Sequence, residues 1–244
     1  MRAVLSAVEW HRYFKRLSQI EGKAASEMLA AIQKQRFKTD TQMTAYCSAL
    51  INKYGGAASA LACEMYDEIA ELQGATIPPA EPATVMTPQE IAQGIREAAR
   101  RSEILIPPEV GRMVKQASAD TMLQNARRDR AQMAFIPNGD TCAFCRVLGS
   151  RGWEDAAGVS EGKHAAHVHA HCDCAYMVRF VSSGGVEGYD PQKYLDEYYA
   201  ADGSTGRERI NAMRRADYEG NKKTILAQKR AAYAARQERE DKDN

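Results

Sequence analysis

Asp140-Thr141-Cys142-Ala143-Phe144-Cys145, followed by His164, His167, His169, His171, Cys172, Asp173 and Cys174, is the stretch whose residue types and spacing carry chemistry. A CxxC turn presents two thiolates to one ion, and a second ligand pair must return from further along the chain to close a tetrahedron. Cys172 and Cys174 supply such a pair, with 26 residues between Cys145 and Cys172. Thiolates with at most one imidazole favour Zn²⁺ over metals that prefer oxygen. The first ligand set is Cys142, Cys145, Cys172 and Cys174; the alternative replaces one cysteine by His169. In a straight strand His169 and His171 point away from Cys172 and Cys174, so joint ligation requires a turn there. A redox-active thiol cluster and disulfides remain as other readings of the same cysteines. His164 and His167 sit in a Lys/Ala/His stretch that reads as exposed loop, and Trp153 is expected to cover the knuckle with apolar area.

Enzyme patterns fit less well. A zinc deaminase needs His-x-Glu and Pro-Cys-x-x-Cys, but Thr141 precedes Cys142 and no histidine has Glu two residues on. HExxH is absent. An HNH-like nuclease is the stronger rival: His167, His169 and His171 would supply a base and a metal ligand beside a structural zinc, although no Asn or second acid stands at a matching spacing.

The elements that position this segment read as mainly helical. The chain has 244 residues, 44% apolar and 27% charged, with a net charge of +1, so no strong global field steers it to nucleic acid or membrane. No apolar run approaches the roughly 20 residues a membrane helix needs. Met1–Ser6 lacks the apolar stretch of a secretory signal, so the expected setting is a reducing cytosol. Residues 1–75 form a helical N-terminal region, with Trp10, Tyr13, Phe14, Leu17 and Ile20 on one stripe and Leu61, Met65, Ile69 and Leu72 on another. Asp40 or Thr41 is expected to cap the second helix, and Gly55-Gly56 to interrupt it. Cys47 and Cys63 lie inside these patterns as small buried hydrophobes.

Residues 76–86 are a Pro-rich linker. Residues 87–182 form the next module: Thr87-Pro88-Gln89-Glu90 starts a helix running to about Ser102, Ile106-Pro107-Pro108 breaks it, and a third helix spans about Glu109 to Ala131. Tyr176–Val181 reads as a strand. Residues 183–244 are a helical basic tail, opened by a second capping signal at Asp190-Pro191, with Gln237–Asn244 expected to fray.

That tail carries nine Lys or Arg against three Asp or Glu between Arg207 and Arg236. It also carries a 15-residue echo, in which Ala212, Arg215, Ala216 and Tyr218 recur as Ala227, Arg230, Ala231 and Tyr233. Arg214, Arg215, Tyr218, Lys222, Lys223, Lys229, Arg230 and Tyr233 are the candidates for holding DNA phosphates. A solvated helix face is the plainer alternative.

The order Asp-x-Cys-x-x-Cys, then the turn Leu148–Trp153, then His169, Cys172 and Cys174 as His-x-x-Cys-x-Cys, resembles the C-terminal motif of Mu F-like phage minor head proteins. A preceding helix with Asn125-Ala126-Arg127-Arg128 is similar too, and the resemblance is best over about residues 110–182. The pattern departs at Val168 and Asp173, where Pro and Arg are common in the family. The resemblance implies a low-copy virion component for head morphogenesis, with the portal and major capsid protein as partners. The scaffold and, through the tail, DNA are further candidates. It places the protein at the capsid interior or portal vertex, and in the host cytoplasm during assembly. The expected architecture is therefore mainly α, with a helical N-terminal region, a small α+β Cys/His metal-knuckle module and a helical C-terminal tail.

Overall fold

The computed structural model of the chain describes residues 3–84, 86–138, 141–159 and 174–240. It is mainly helical with a small sheet. Helix α1 (Ala7–Gln33) begins at a Ser6 cap. The Ser6 hydroxyl accepts the Glu9 N–H, and the Glu9 carboxylate accepts the Ser6 N–H at 2.8 Å. Its buried face is Trp10, Tyr13, Phe14, Leu17, Ala24 and Met28, the three-and-four spacing that the sequence predicts. Just before it, β1 (Val4–Leu5) pairs in parallel with β5 (Gly185–Val186), a strand the helical reading of residues 1–75 did not include.

Helix α2 (Asp40–Gln73) is capped by Thr39, whose hydroxyl accepts the Gln42 N–H at 3.2 Å, rather than by Asp40 or Thr41. It runs unbroken through Gly55-Gly56, contrary to expectation. Gly55 is buried, and a Cβ added there would stand 3.4 Å from the Ala117 Cβ. That is ordinary van der Waals contact, so the site has room for a methyl and little more, and the packing of α2 on α4 carries the helix through the roughly 1 kcal/mol that Gly costs a helix interior.

Helix α3 (Pro88–Arg101) starts with the predicted Thr87–Glu90 capping box. A single 3-10 turn (Glu103–Leu105) then leads into α4 (Ile106–Arg128). Pro107 and Pro108 open α4 where they were expected to lie between helices. In a first turn the missing proline N–H has no intrahelical acceptor to lose. α4 is the central helix, packed on α2, α1 and α3. It buries polar side chains among apolar ones. The Lys115 ammonium lies 5.1 Å from the centre of the Phe14 ring, and Ser118 and Thr121 donate to the carbonyls of Lys115 and Ala117.

Residues 76–84 form neither helix nor strand and run as a strap over α2 and α4. Asp67 accepts the Ala80 N–H, and Thr121 accepts the Ala83 N–H. Asn125 bonds both the N–H and the carbonyl of Glu81, at 2.9 and 2.7 Å, and the Arg128 guanidinium donates to the carbonyls of Pro78 and Pro79.

The chain then forms a three-stranded antiparallel sheet in the order β3 (Glu154–Asp155), β2 (Gln132–Pro137), β4 (Cys174–Arg179). Its register runs from Gln132 opposite Arg179 to Pro137 opposite Cys174. β4 begins and ends two residues before the predicted Tyr176–Val181. Residues 133–137 of β2 are buried without alternation, so the strand lacks the period-two signature that would mark it in sequence. Helix α5 (Ala143–Gly149) packs on β2, followed by α6 (Pro191–Ala200) and α7 (Gly206–Glu240). Asp190 caps α6 as predicted, accepting the N–H groups of Gln192 and Lys193. α7 continues through Gln237–Glu240, the first half of the stretch expected to fray; the rest of that stretch is outside the described residues.

Candidate functional site

Strand register brings the two ends of the cysteine motif to one end of the sheet. β2 closes at Pro137, directly opposite Cys174 at the start of β4. From Pro137 the chain turns at Asn138, where the Thr141 hydroxyl accepts the Asn138 N–H at 3.1 Å and donates to its carbonyl at 2.9 Å. That turn delivers Cys142 to the N-cap of α5 and Cys145 to its first turn. Residues three apart on a helix share a face, so the CxxC spacing is here a helical one. Cys145 and Cys174 are fully buried and Cys142 is half-buried.

Gly149 closes α5 against Pro137. A Cβ there would lie 2.6 Å from the proline Cγ, and the Tyr189 hydroxyl donates to the Gly149 carbonyl at 2.6 Å. Burial pushes the Tyr189 phenol well above its ordinary range. Trp153, expected over the knuckle, meets the Tyr189 ring edge-on at 6.0 Å and carries the Arg179 guanidinium 5.0 Å from its ring centre.

Cys172 and His169 lie outside the described residues, as do His164, His167, His171 and Asp173. Among the described residues no group of three or more His, Cys, Asp and Glu side chains is placed to hold a metal. The described part of the motif thus offers two thiols on one helical turn.

Arg146, next to Cys145, is the residue that the sequence reading missed. Its guanidinium reaches Glu197 on α6 at 3.0 Å and both carboxylate oxygens of Asp217 on α7 at 2.7 Å. The helix that carries the CxxC is thereby tied to both helices of the C-terminal region. A basic residue beside a cysteine pair is a sequence signal, but its partners 51 and 71 residues away are not. The Asn125–Arg128 stretch also has a structural role: Asn125 and Arg128 hold the strap, and Arg127 donates to the carbonyls of Ala156 and Val159.

In the tail, Arg214, Arg215, Tyr218, Lys222, Lys223 and Arg230 are exposed; the side chains of Lys229 and Tyr233 are outside the described set. Lys222 is partly committed, to Glu219 at 3.0 Å and over the Tyr218 ring. Two charges in the tail count change role. Asp217 is neutralised by Arg146. Arg209 stacks 5.5 Å from both the Tyr198 and Tyr199 rings and donates to the carbonyls of Tyr198, Tyr199 and Ala201, closing the end of α6. Up to Asp217, α7 is seated on the body through buried Met213 and the Arg146 bond. From Tyr218 onward every described side chain is exposed.

Cys47 is fully buried, with its thiol pushed up to about 12 by burial, and its sulfur lies 3.5 Å from that of Met28. Cys63 is half-buried and raised for the same first reason.

Among the described residues no helix is long and apolar enough to cross a membrane. No curated protein and no solved structure matches the chain. The family model described as VG15 protein matches residues 5–201, which takes in the body from β1 to the end of α6 and leaves α7 outside the match. The chain belongs to the VG15 protein family and is a phage protein.

Proposed function

We propose that this phage protein is a minor capsid protein of head morphogenesis, associated with the portal or the capsid interior. The helical body carries the docking surfaces, a zinc knuckle stiffens the module around α5, and the projecting part of α7 lies on DNA. The observation that carries this reading is the departure of α7 from the body. Beyond Asp217 it extends 23 residues, about 35 Å of helix, with its described side chains in solvent. A long basic helix that makes no core suits a partner surface of opposite charge. The motif's resemblance to Mu F-like proteins and the phage family match point the same way.

Removal of the tail is the test. A cut after Gly206 would also strip Met213 and Asp217 from the body, so the informative cut is after Gly220. DNA binding by the full chain is expected to weaken with salt by about 0.9 of a log–log unit per phosphate contact, and to become weak and shallow in the shortened chain. The shortened chain is expected still to enter heads assembled with portal and capsid protein. If it is excluded from heads, the tail is the docking element. Magnesium-dependent plasmid cleavage abolished by His169→Ala would replace this reading by the nuclease one. For the knuckle, protein purified without chelator should hold about one zinc per chain; Cys142→Ser should release it and Cys47→Ala should not. Less than about a tenth of an equivalent would remove zinc from the proposal.

A further inference from the structure

The end of the helical bundle farthest from the sheet is built unlike the rest of the surface. α2 spans this distance: its last residue, Gln73, bonds the Phe180 N–H just past β4, and its cap, Thr39, lies at the opposite end, roughly 50 Å away for 34 residues. At that far end residues 34–39 join α1 to α2, and the turn Glu103–Leu105 joins α3 to α4.

Two adjoining hollows open there, about 590 and 630 Å³, sharing Phe37 and Lys38. Ile32 and Met43 line the first and Tyr46 the second, and the Phe37 and Tyr46 rings stand 5.4 Å apart. Beside them Ile104 is 73% exposed, the most exposed large apolar side chain of the described residues. Arg36 and Lys38 line these hollows, and Lys34, at the end of α1, and Arg100 and Arg101, at the end of α3, lie on the elements that meet there; all five are exposed, and among the described residues none of them is in an ion pair. Asp40 and Glu103 are the acids on the same hollow. Gln35, in the hollow's wall, takes φ +49° because it ends α1: its N–H donates to the Ile32 carbonyl and that of Arg36 to the Ala31 carbonyl, the left-handed cap that commonly closes a helix.

We infer that this tip is a docking surface for an acidic segment of a partner protein, one that inserts a large apolar side chain over Phe37 and Ile104 while its carboxylates meet the Lys34–Lys38 and Arg100–Arg101 rim. Charge complementarity selects the occupant: cations without an ion-pair partner stand beside shallow hollows that hold the Phe37 and Tyr46 rings, and burial of an apolar anchor inside a polar rim is the usual anatomy of a protein contact. Phosphate backbones would meet the rim but leave the floor and Ile104 unsatisfied. That the partner is a head component rests on the proposed function; the chemistry of the surface does not.

The probe is a short fluorescein-labelled peptide alternating Glu with Phe and Leu, added to the full chain. It is expected to bind, to weaken with salt, and to lose at least about tenfold in affinity with Ile104→Asp and with the Arg36→Glu/Lys38→Glu pair. These changes are on exposed positions, so unchanged thermal unfolding checks that each variant folds. Four results would overturn the inference: equal binding by Ile104→Asp, equal binding of a peptide with Ser in place of Phe and Leu, displacement of the peptide by a short DNA duplex, or a dimer of the wild-type chain that Ile104→Asp dissociates. In head assembly, entry of Ile104→Asp at the wild-type level would remove the tip from docking and leave the minor capsid reading intact. A wild-type chain absent from heads would remove that reading and leave the peptide to decide the surface.

Discussion

Replacing Arg146 by Met and Asp217 by Leu, singly and together, measures how firmly the CxxC helix holds the tail. Arg146 is 21% exposed and Asp217 40%. A fully exposed pair contributes about 0.2–1 kcal/mol, and charge-assisted bonds shielded from water about 1.5–3 kcal/mol. This pair lies between those cases. Two contacts of 2.7 Å raise its value. Two features lower it: both bonds come from one guanidinium nitrogen, and the Arg146 Nε is buried without an acceptor. A coupling of about 1 kcal/mol follows, shrinking in molar salt, where the screening length falls to about 3 Å. Arg146→Met alone should cost about 1–2 kcal/mol, since it also leaves Glu197 and Asp217 facing one groove without their shared cation. Urea unfolding gives the energies. Hydrogen exchange gives the location: amides of 206–217 should lose protection in Arg146→Met, while those of α2 keep theirs. A coupling under about 0.3 kcal/mol, or unchanged exchange in 206–217, would show that Met213 packing alone seats α7.

Gly55→Ala should be nearly neutral and Gly55→Leu should cost about 2–3 kcal/mol in thermal unfolding, because the Cβ position is already in contact with Ala117 at 3.4 Å. Arg130, at φ +54° beyond the end of α4, should give about 1 kcal/mol of added stability when replaced by glycine, readable as a rise in Tm. The Arg128 guanidinium first, and then the Tyr66 hydroxyl, hold the Asp129 carboxyl below its ordinary 3.8. Its stabilising effect is therefore complete above pH 4 or so and is lost as pH falls through the lower folded value; Asp129→Asn should flatten the acid limb of a stability–pH profile.

The sequence by itself determined what is local. Ser/Thr/Asp caps and three-and-four spacing depend on a few neighbouring residues, so the Thr87–Glu90 box, the Asp190 start of α6, the apolar stripe of α1 and the existence of a basic C-terminal helix were all legible. Tertiary structure decided whatever depends on a distant neighbour. Gly55 reads as a breaker until Ala117 is known to lie against it. Met133–Ile136 shows no alternation because the whole run of β2 is buried. Asp217 and Arg209 count as tail charges until Arg146 and the end of α6 claim them. Cys142 and Cys174 stand 32 residues apart in the chain, and only the pairing of Pro137 with Cys174 brings their elements to one end of the sheet. Residue type sets what each group can do. Which groups meet is set by helix packing and strand register, whose partners lie tens of residues away, beyond the reach of any local pattern.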